Sequence, residues 1–253
     1  MKTIFTTIAL CTTLSLAQAL PPAQPILQKL EDIQKFSTDI HSHVKLTQQK
    51  ANQGTKIIEM EYYRRDKDAA FLINMLAPES DRGNGYLRID ENMWMYRRNT
   101  RTFQHINSDE SIGGSNAKAD DFKTRNVTET WAIQKTKDGK EKLSEEMLGK
   151  VPVYKLEVVA KVNDVDYPKK IWWVRRDNNL LLKEEGYSQS GTLMETAYFL
   201  KYTMINNRYV PVNQLFIDEF EKGNRTVVDL SDIKTDKLDD AVFTKAYLES
   251  QSK

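Results

Sequence analysis

Cysteine is almost absent from this chain. Cys11 is the only thiol in 253 residues, so neither a disulfide framework nor a cysteine-built zinc site can hold the fold. Three histidines leave little scope for imidazole metal chemistry. Charge of one sign is missing as well. Lys+Arg number 37 against 36 Asp+Glu, a formal net charge of +1, whereas a nucleic-acid partner calls for a basic excess. Glycine and proline are sparse, at 10 and 7, which excludes collagen-like repeats and Pro- or Gly-rich linkers. No apolar run reaches the roughly 20 residues of a membrane-spanning helix. What is present is an ordinary globular mixture, 40% hydrophobic and 29% charged, long enough to bury a core without covalent staples.

The first residues read as an address. Met1 and Lys2 make a short positive start, 4–16 is apolar with hydroxyl residues, and Ala17-Gln18-Ala19 supplies a small-x-small site. This is the three-part layout of a secretory signal peptide over 1–19, cut after Ala19. Its removal takes Lys2 and Cys11 with it and leaves 36 basic and 36 acidic residues. Leu10 stands where bacterial lipid attachment at Cys11 needs a small residue. The expectation is an exported, periplasmic mature chain, 20–253, folded as one domain.

In 25–36, Ile26, Leu27, Leu30, Ile33 and Phe36 recur at three- and four-residue spacing, which predicts an amphipathic helix lying on something larger. The period then changes to two. Segments 38–48, 55–65, 69–76, 85–90, 93–96 and 102–106 are strand-like, with turn residues between them. The rhythm breaks over 107–122, a polar stretch holding Gly113-Gly114 and read as a long surface loop. Segment 128–134 is too short to assign. Strands resume over 151–162, 169–176, 180–188, 192–204, 209–220 and 225–230, and 238–248 suits a short helical turn. About a dozen strands with one or two helices predict a mainly β (α+β) fold built on a large curved antiparallel sheet. Such a sheet buries one face by curling into a barrel or by holding helices on its concave side. A partly filled curl leaves an apolar cavity, and apolar cavities hold apolar ligands.

The residues also carry a resemblance. Met75-Leu76-Ala77-Pro78, Arg82-Gly83, Tyr86-Leu87-Arg88, Asn92-Met93-Trp94-Met95-Tyr96 and Arg101-Thr102-Phe103 form one block. It continues through Ile112-Gly113-Gly114-Ser115-Asn116-Ala117 and Asp120-Asp121-Phe122. Ile171-Trp172-Trp173-Val174 and Val210-Pro211-Val212 follow. Across nearly the whole mature chain the sequence resembles the outer-membrane lipoprotein-sorting proteins, the LolA/LolB-like periplasmic carriers. The resemblance implies a half-open β-barrel covered by helices, enclosing a hydrophobic cavity for lipid or lipoprotein acyl chains. It also implies exchange with an inner- or outer-membrane protein partner, no cofactor and a monomeric chain. The family-motif loop would comprise Gly113, Gly114, Ser115, Asp121 and Phe122.

Candidate lining residues follow from alternation. Met93 and Met95 share one face of their strand, and thioethers repack readily around a flexible chain. Trp94 lies on the other face. Phe71, Ile73 and Met75 share a face, as do Leu87 and Ile89, and Trp172 and Trp173 lie on opposite faces. Burying a hexadecyl-like chain contributes on the order of 10 kcal/mol, at about 0.8 kcal/mol per methylene. Two other constellations carry less. Ser115 to Lys118 has the Ser-x-x-Lys spacing of β-lactam-recognising enzymes, the basis of a remote serine-hydrolase reading, but sits in a polar loop without companion motifs. His41 and His43 share a strand face, yet two ligands rarely make a closed metal site. The chief alternative to a carrier is a protein-interaction or sensor domain on the same fold.

Overall fold

The computed structural model describes residues 20–51, 53–107, 110, 112–114 and 126–252. The expected signal peptide, Cys11, Ser115, Lys118, Asp121 and Phe122 lie outside the described residues. Helix α1 (Ala23–Gln34) comes first, followed by β1 (Ile40–Lys50), β2 (Gly54–Arg65), β3 (Ala70–Ala77), β4 (Gly85–Ile89), β5 (Asn92–Arg97) and β6 (Thr102–His105). A single turn, α2 (Val127–Thr130), leads into β7 (Trp131–Ile133), β8 (Leu143–Leu148), β9 (Val151–Ala160) and β10 (Lys169–Arg175). Then come β11 (Leu181–Tyr187), β12 (Leu193–Ile205), β13 (Arg208–Asp218), β14 (Arg225–Lys234) and α3 (Lys245–Gln251).

All 14 strands belong to one sheet in the order β6-β5-β4-β3-β2-β1-β14-β13-β12-β11-β10-β9-β7, with β8 also pairing β9. It is two meanders, β1 to β6 and β9 to β14, joined where the last strand returns beside the first. That junction is well specified, running antiparallel from His41↔Lys234 to Gln49↔Arg225. The sheet is open, since no pairing joins β6 to β7 or β8 among the described residues.

Its curvature follows from shared neighbours. Tyr62 on β2 and Lys170 on β10 line one cavity, yet six strand steps separate their strands. A flat sheet would hold them roughly 29 Å apart at about 4.8 Å per step. The sheet therefore curls around its inner face. Helix α1 lies inside the curl, with Ile26, Leu27 and Leu30 packed among Trp131, Leu156, Trp172 and Val174. Burial of each such side chain contributes about 1.5–3 kcal/mol, enough to hold a 12-residue helix that would be marginal alone. The outer face of β3 to β5 is covered by the C-terminal segment, where Val242, Phe243 and Leu248 meet Leu72, Leu87 and Tyr96. Gly85 permits this approach, because a Cβ there would run into Leu248 Cδ1.

Two stretches without a sequence assignment resolve, and one loop reading is corrected. Segment 128–134 divides into α2 and β7, its outward neighbours too few to show a period. Strand β8 gave no alternating signal because it is an edge strand with four of its six residues exposed. Within 107–122, Ile112 is fully buried among Ile58, Met75, Tyr86 and Met93. The large apolar side chain dips inward where the polar composition had suggested only surface.

One buried ion pair fastens the outer layers. The Arg65 guanidinium donates to both carboxylate oxygens of Asp39, at 2.8–3.1 Å, to Asp240 at 2.6 Å and to the Leu238 carbonyl at 2.7 Å. It also lies 4.5 Å from the Phe243 ring centre. Burial alone would raise the Asp39 pKa, but the Arg65 hydrogen bonds outweigh it and hold the carboxyl below its ordinary value. We expect Arg65→Ala to lower stability by about 3–5 kcal/mol in urea denaturation, since it strands a buried carboxylate. The double change Asp39→Ala with Arg65→Met should cost less than that single one. A larger loss in the double variant would contradict the assignment.

Candidate ligand-binding site

Alternation along β1 decides what faces the inside of the curl. Ile40, Ser42, Val44, Leu46 and Gln48 are buried, while His41, His43, Lys45 and Thr47 are only partly so. Register carries this across the sheet. Ser42 faces Tyr62 and Val44 faces Met60 on β2, and Val44 faces Leu230 and Leu46 faces Val228 on β14. The inner face is thus apolar in its middle.

Between this wall and α1 lies a cavity of about 390 Å³, within the 300–1,000 Å³ range of small-molecule sites. Leu30, Ile33 and Gln34 of α1 and the following Phe36 roof it. Val44, Phe199, Val210, Val228 and Leu230 are among its wall residues. The polar groups on the wall are few and mostly engaged. Arg64 donates to Asp66 Oδ2 at 2.9 Å and to the Gln34 carbonyl at 2.8 Å. Lys170 pairs with Glu184 at 2.5 Å, whose other oxygen accepts from Trp172 Nε1 at 2.6 Å. The Tyr202 hydroxyl donates to the Leu181 carbonyl at 2.7 Å, and burial pushes the Tyr62 phenol up to about 12. No charge on this wall is left exposed to an apolar guest without a partner beside it.

Helix α1 is held by polar contacts at both ends. No side chain caps its N-terminus from Pro22, and the Ala23 N–H instead donates to Glu141 at 2.9 Å, a carboxylate placed where the helix dipole favours it. Near its C-terminus Glu31 accepts from the Thr128 N–H at 2.9 Å, from the Thr128 hydroxyl at 2.7 Å and from Lys35 at 2.6 Å. Arg208 donates to the carbonyls of Asp32 and Lys35.

The described residues singled out from the sequence fall into several places, and none of them lines this cavity. Phe71, Ile73, Met75 and Met93 are buried on the inner face of β3 and β5, with Met95 packed beside them, in a filled part of the curl. Met75, Met95 and Gly113 also border a more polar cavity of about 280 Å³. There Gly113 (φ +58°) admits Met75, whose Cε would lie 2.8 Å from an added Cβ. Its N–H donates to Tyr86 at 3.0 Å, and its carbonyl accepts from Lys56 at 2.7 Å. Gly114 follows in the same short turn.

Leu87, Ile89 and Trp94 lie on the opposite face, under the C-terminal segment, with Lys245 4.3 Å from the Trp94 ring centre. Trp172 packs on the inner face with α1. Trp173 points outward beneath Lys183, 4.3 Å from its ring centre. His41 and His43 share the outer face as expected and converge on Glu61, at 2.5 and 3.1 Å. The cavity wall is hard to find from the sequence because its central strands mix polar and apolar residues. The alternation Ile40-x-Ser42-x-Val44-x-Leu46 was the available signal.

An open antiparallel sheet curled around one helix and a cavity defines a LolA-like fold, and solved structures agree. Over 90% of this chain and 100% of the other, it is similar to a LolA superfamily protein of Nitrosomonas europaea, at 22% identity and TM-score 0.74. The same coverage and 22% identity hold for a DUF1329 family protein of Desulfovibrio piger, at TM-score 0.77. A lipoprotein-sorting protein domain of Vibrio parahaemolyticus matches at 17% identity and TM-score 0.74, over 88% and 97% of the two chains. No curated protein matches by sequence. A family model described as "-like: Uncharacterized protein" matches residues 67–250, and the chain belongs to that family.

The clasp at Glu31 predicts an acid dependence. Burial alone would raise its pKa, but the hydrogen bonds from Lys35 and Thr128 pull it from 4.5 down to about 2. A carboxyl lowered on folding contributes stability that is complete above its unfolded value and is lost as pH falls toward the folded one. The contribution should fade between pH 4.5 and about 2. Trp131 and Trp172, which pack with α1, should report the release in urea titrations followed by fluorescence. Glu31→Gln should destabilise the chain at pH 7 by about 1–3 kcal/mol and flatten that acid limb. An unchanged acid limb would refute the clasp.

Proposed function

We propose that this protein is a periplasmic carrier that shelters the acyl chains of a lipid or lipoprotein between α1 and the curled sheet, and passes them to a membrane-bound partner. In this reading 1–19 is a cleaved signal peptide and 20–253 works as one domain, in single copy. Among the described residues no helix is long and apolar enough to cross a membrane. The fold shared with a lipoprotein-sorting protein domain supports the reading. The observation that carries it is the 390 Å³ cavity, roofed by Leu30, Ile33 and Phe36 and walled by Val44, Phe199, Val228 and Leu230. A sheet packed to ordinary interior density would leave only voids near the size of a water. This one leaves room for a chain of methylenes, each contributing about 0.8 kcal/mol on burial.

Charge on the outside does not argue for a polyanion partner, and the engaged polar groups of the wall match a guest without a charged tail. The residues Phe71, Ile73, Met75, Met93 and Met95 belong to this proposal as the neighbouring apolar floor, against which a longer chain would extend by repacking the methionines.

Native mass spectrometry of the mature chain, with hexadecanoic acid added, should show one bound chain. Val228→Trp, which fills the cavity, should weaken binding at least tenfold, while Trp94→Phe on the opposite face should leave it unchanged. Circular dichroism of both variants separates a filled cavity from a lost fold. Equal binding by wild type and a folded Val228→Trp variant would place the chain elsewhere and sink the proposal.

A further inference from the structure

We propose that the guest of this cavity carries a hydrogen-bonding oxygen along its chain, a hydroxyl or keto group, and that Ser42 is the residue that reads it. The proposal rests on the carrier reading and narrows it from acyl chains in general to oxygenated ones. Ser42 is fully buried and lines the cavity. Its hydroxyl has no hydrogen-bond partner among the described residues. Two other buried side-chain atoms share that condition, Asn74 Oδ1 and Thr226 Oγ1, but neither belongs to the cavity wall. Buried polar groups in folded proteins are almost always paired, so one without a partner, on a residue that borders a ligand cavity, marks a place for a partner from the ligand.

The surroundings sharpen the assignment. On the inner face of β1, Ser42 sits between Ile40 and Val44, one small polar residue in an apolar row. A bulge opens the ladder directly beside it. His41 pairs with Lys234 and His43 with Ser231, so Asp232 and Ile233 together oppose Ser42, with Asp232 at φ +51°. Bulges of this kind bend a strand and re-aim side chains, and they concentrate beside sites. Ile233 from the bulge itself lines the cavity. Around it, Arg64, Lys170 and Tyr202 are bound to protein acceptors, whereas the Ser42 hydroxyl has no protein partner among the described residues. A hydroxyl donates and accepts, so it suits either a hydroxyl or a keto oxygen. A plain alkyl chain would leave it unsatisfied, and a site built around such a group discriminates against the analogue lacking the oxygen.

The test uses the mature chain and displacement of a fluorescent fatty acid by octadecanoic acid and by its positional hydroxy and keto isomers. At least one isomer should bind about tenfold tighter than the parent acid, the equivalent of one good buried hydrogen bond. In Ser42→Ala that preference should vanish while the parent acid binds as well or better. The ligand-free variant should melt no lower than wild type, because the substitution removes an unsatisfied group. Isomers that never outbind the parent, or a preference that survives in Ser42→Ala, would overturn the assignment while leaving the carrier reading in place. If no acid, oxygenated or plain, displaces the reporter, the carrier reading fails and takes this one with it.

Discussion

A sheet of 14 strands must hide one face from water, and among the described residues a single 12-residue helix lies inside to help it do so. That shortage governs the rest of the architecture. The sheet curls so that strands six steps apart share neighbours. The helix fills one end of the curl against Trp131, Leu156 and Trp172, and Ile112 with the methionines fills the other. The middle, beneath the end of α1, stays hollow. The cavity is therefore a consequence of the ratio of sheet to helix rather than of any one residue.

Polar side chains fasten the layers to one another. Arg65 ties the start of β1 to the C-terminal segment through Asp39, Asp240 and Leu238. Glu31 and Glu141 hold the two ends of α1. Both devices use charge-assisted hydrogen bonds in shielded places, where such bonds are about twice as strong as neutral ones. The helix is thereby attached by polar contacts at its ends and packed on apolar side chains along its length.

Much of the architecture was legible before any coordinates. Period-two alternation located twelve of the strands to within a few residues, because half-buried strands write their two faces into the chain directly. Strand β8 was silent since an edge strand with an exposed middle has no apolar face to write, and α2 is a single turn. The face assignments inside a strand also held locally: Met93 and Met95 do share a face, and Trp94 lies opposite. The cavity was not legible in the same way. The richest apolar strings, 93–96 and 171–174, pack into the clusters around the hollow and against the outer layers and do not line it.

The order of residues along the chain dictated strand positions, the helix and the alternation, all of which are set by neighbours a few residues apart. Which of two alternating faces turns inward depends on contacts between residues distant in sequence, such as β1 with β14 and α1 with β10. Leu87 and Trp94 are as apolar as Val228 and Leu230. Yet the C-terminal segment covers Leu87 and Trp94, while Val228 and Leu230 border the hollow. Hydrophobicity is blind to direction, and only the curl of the sheet assigns it.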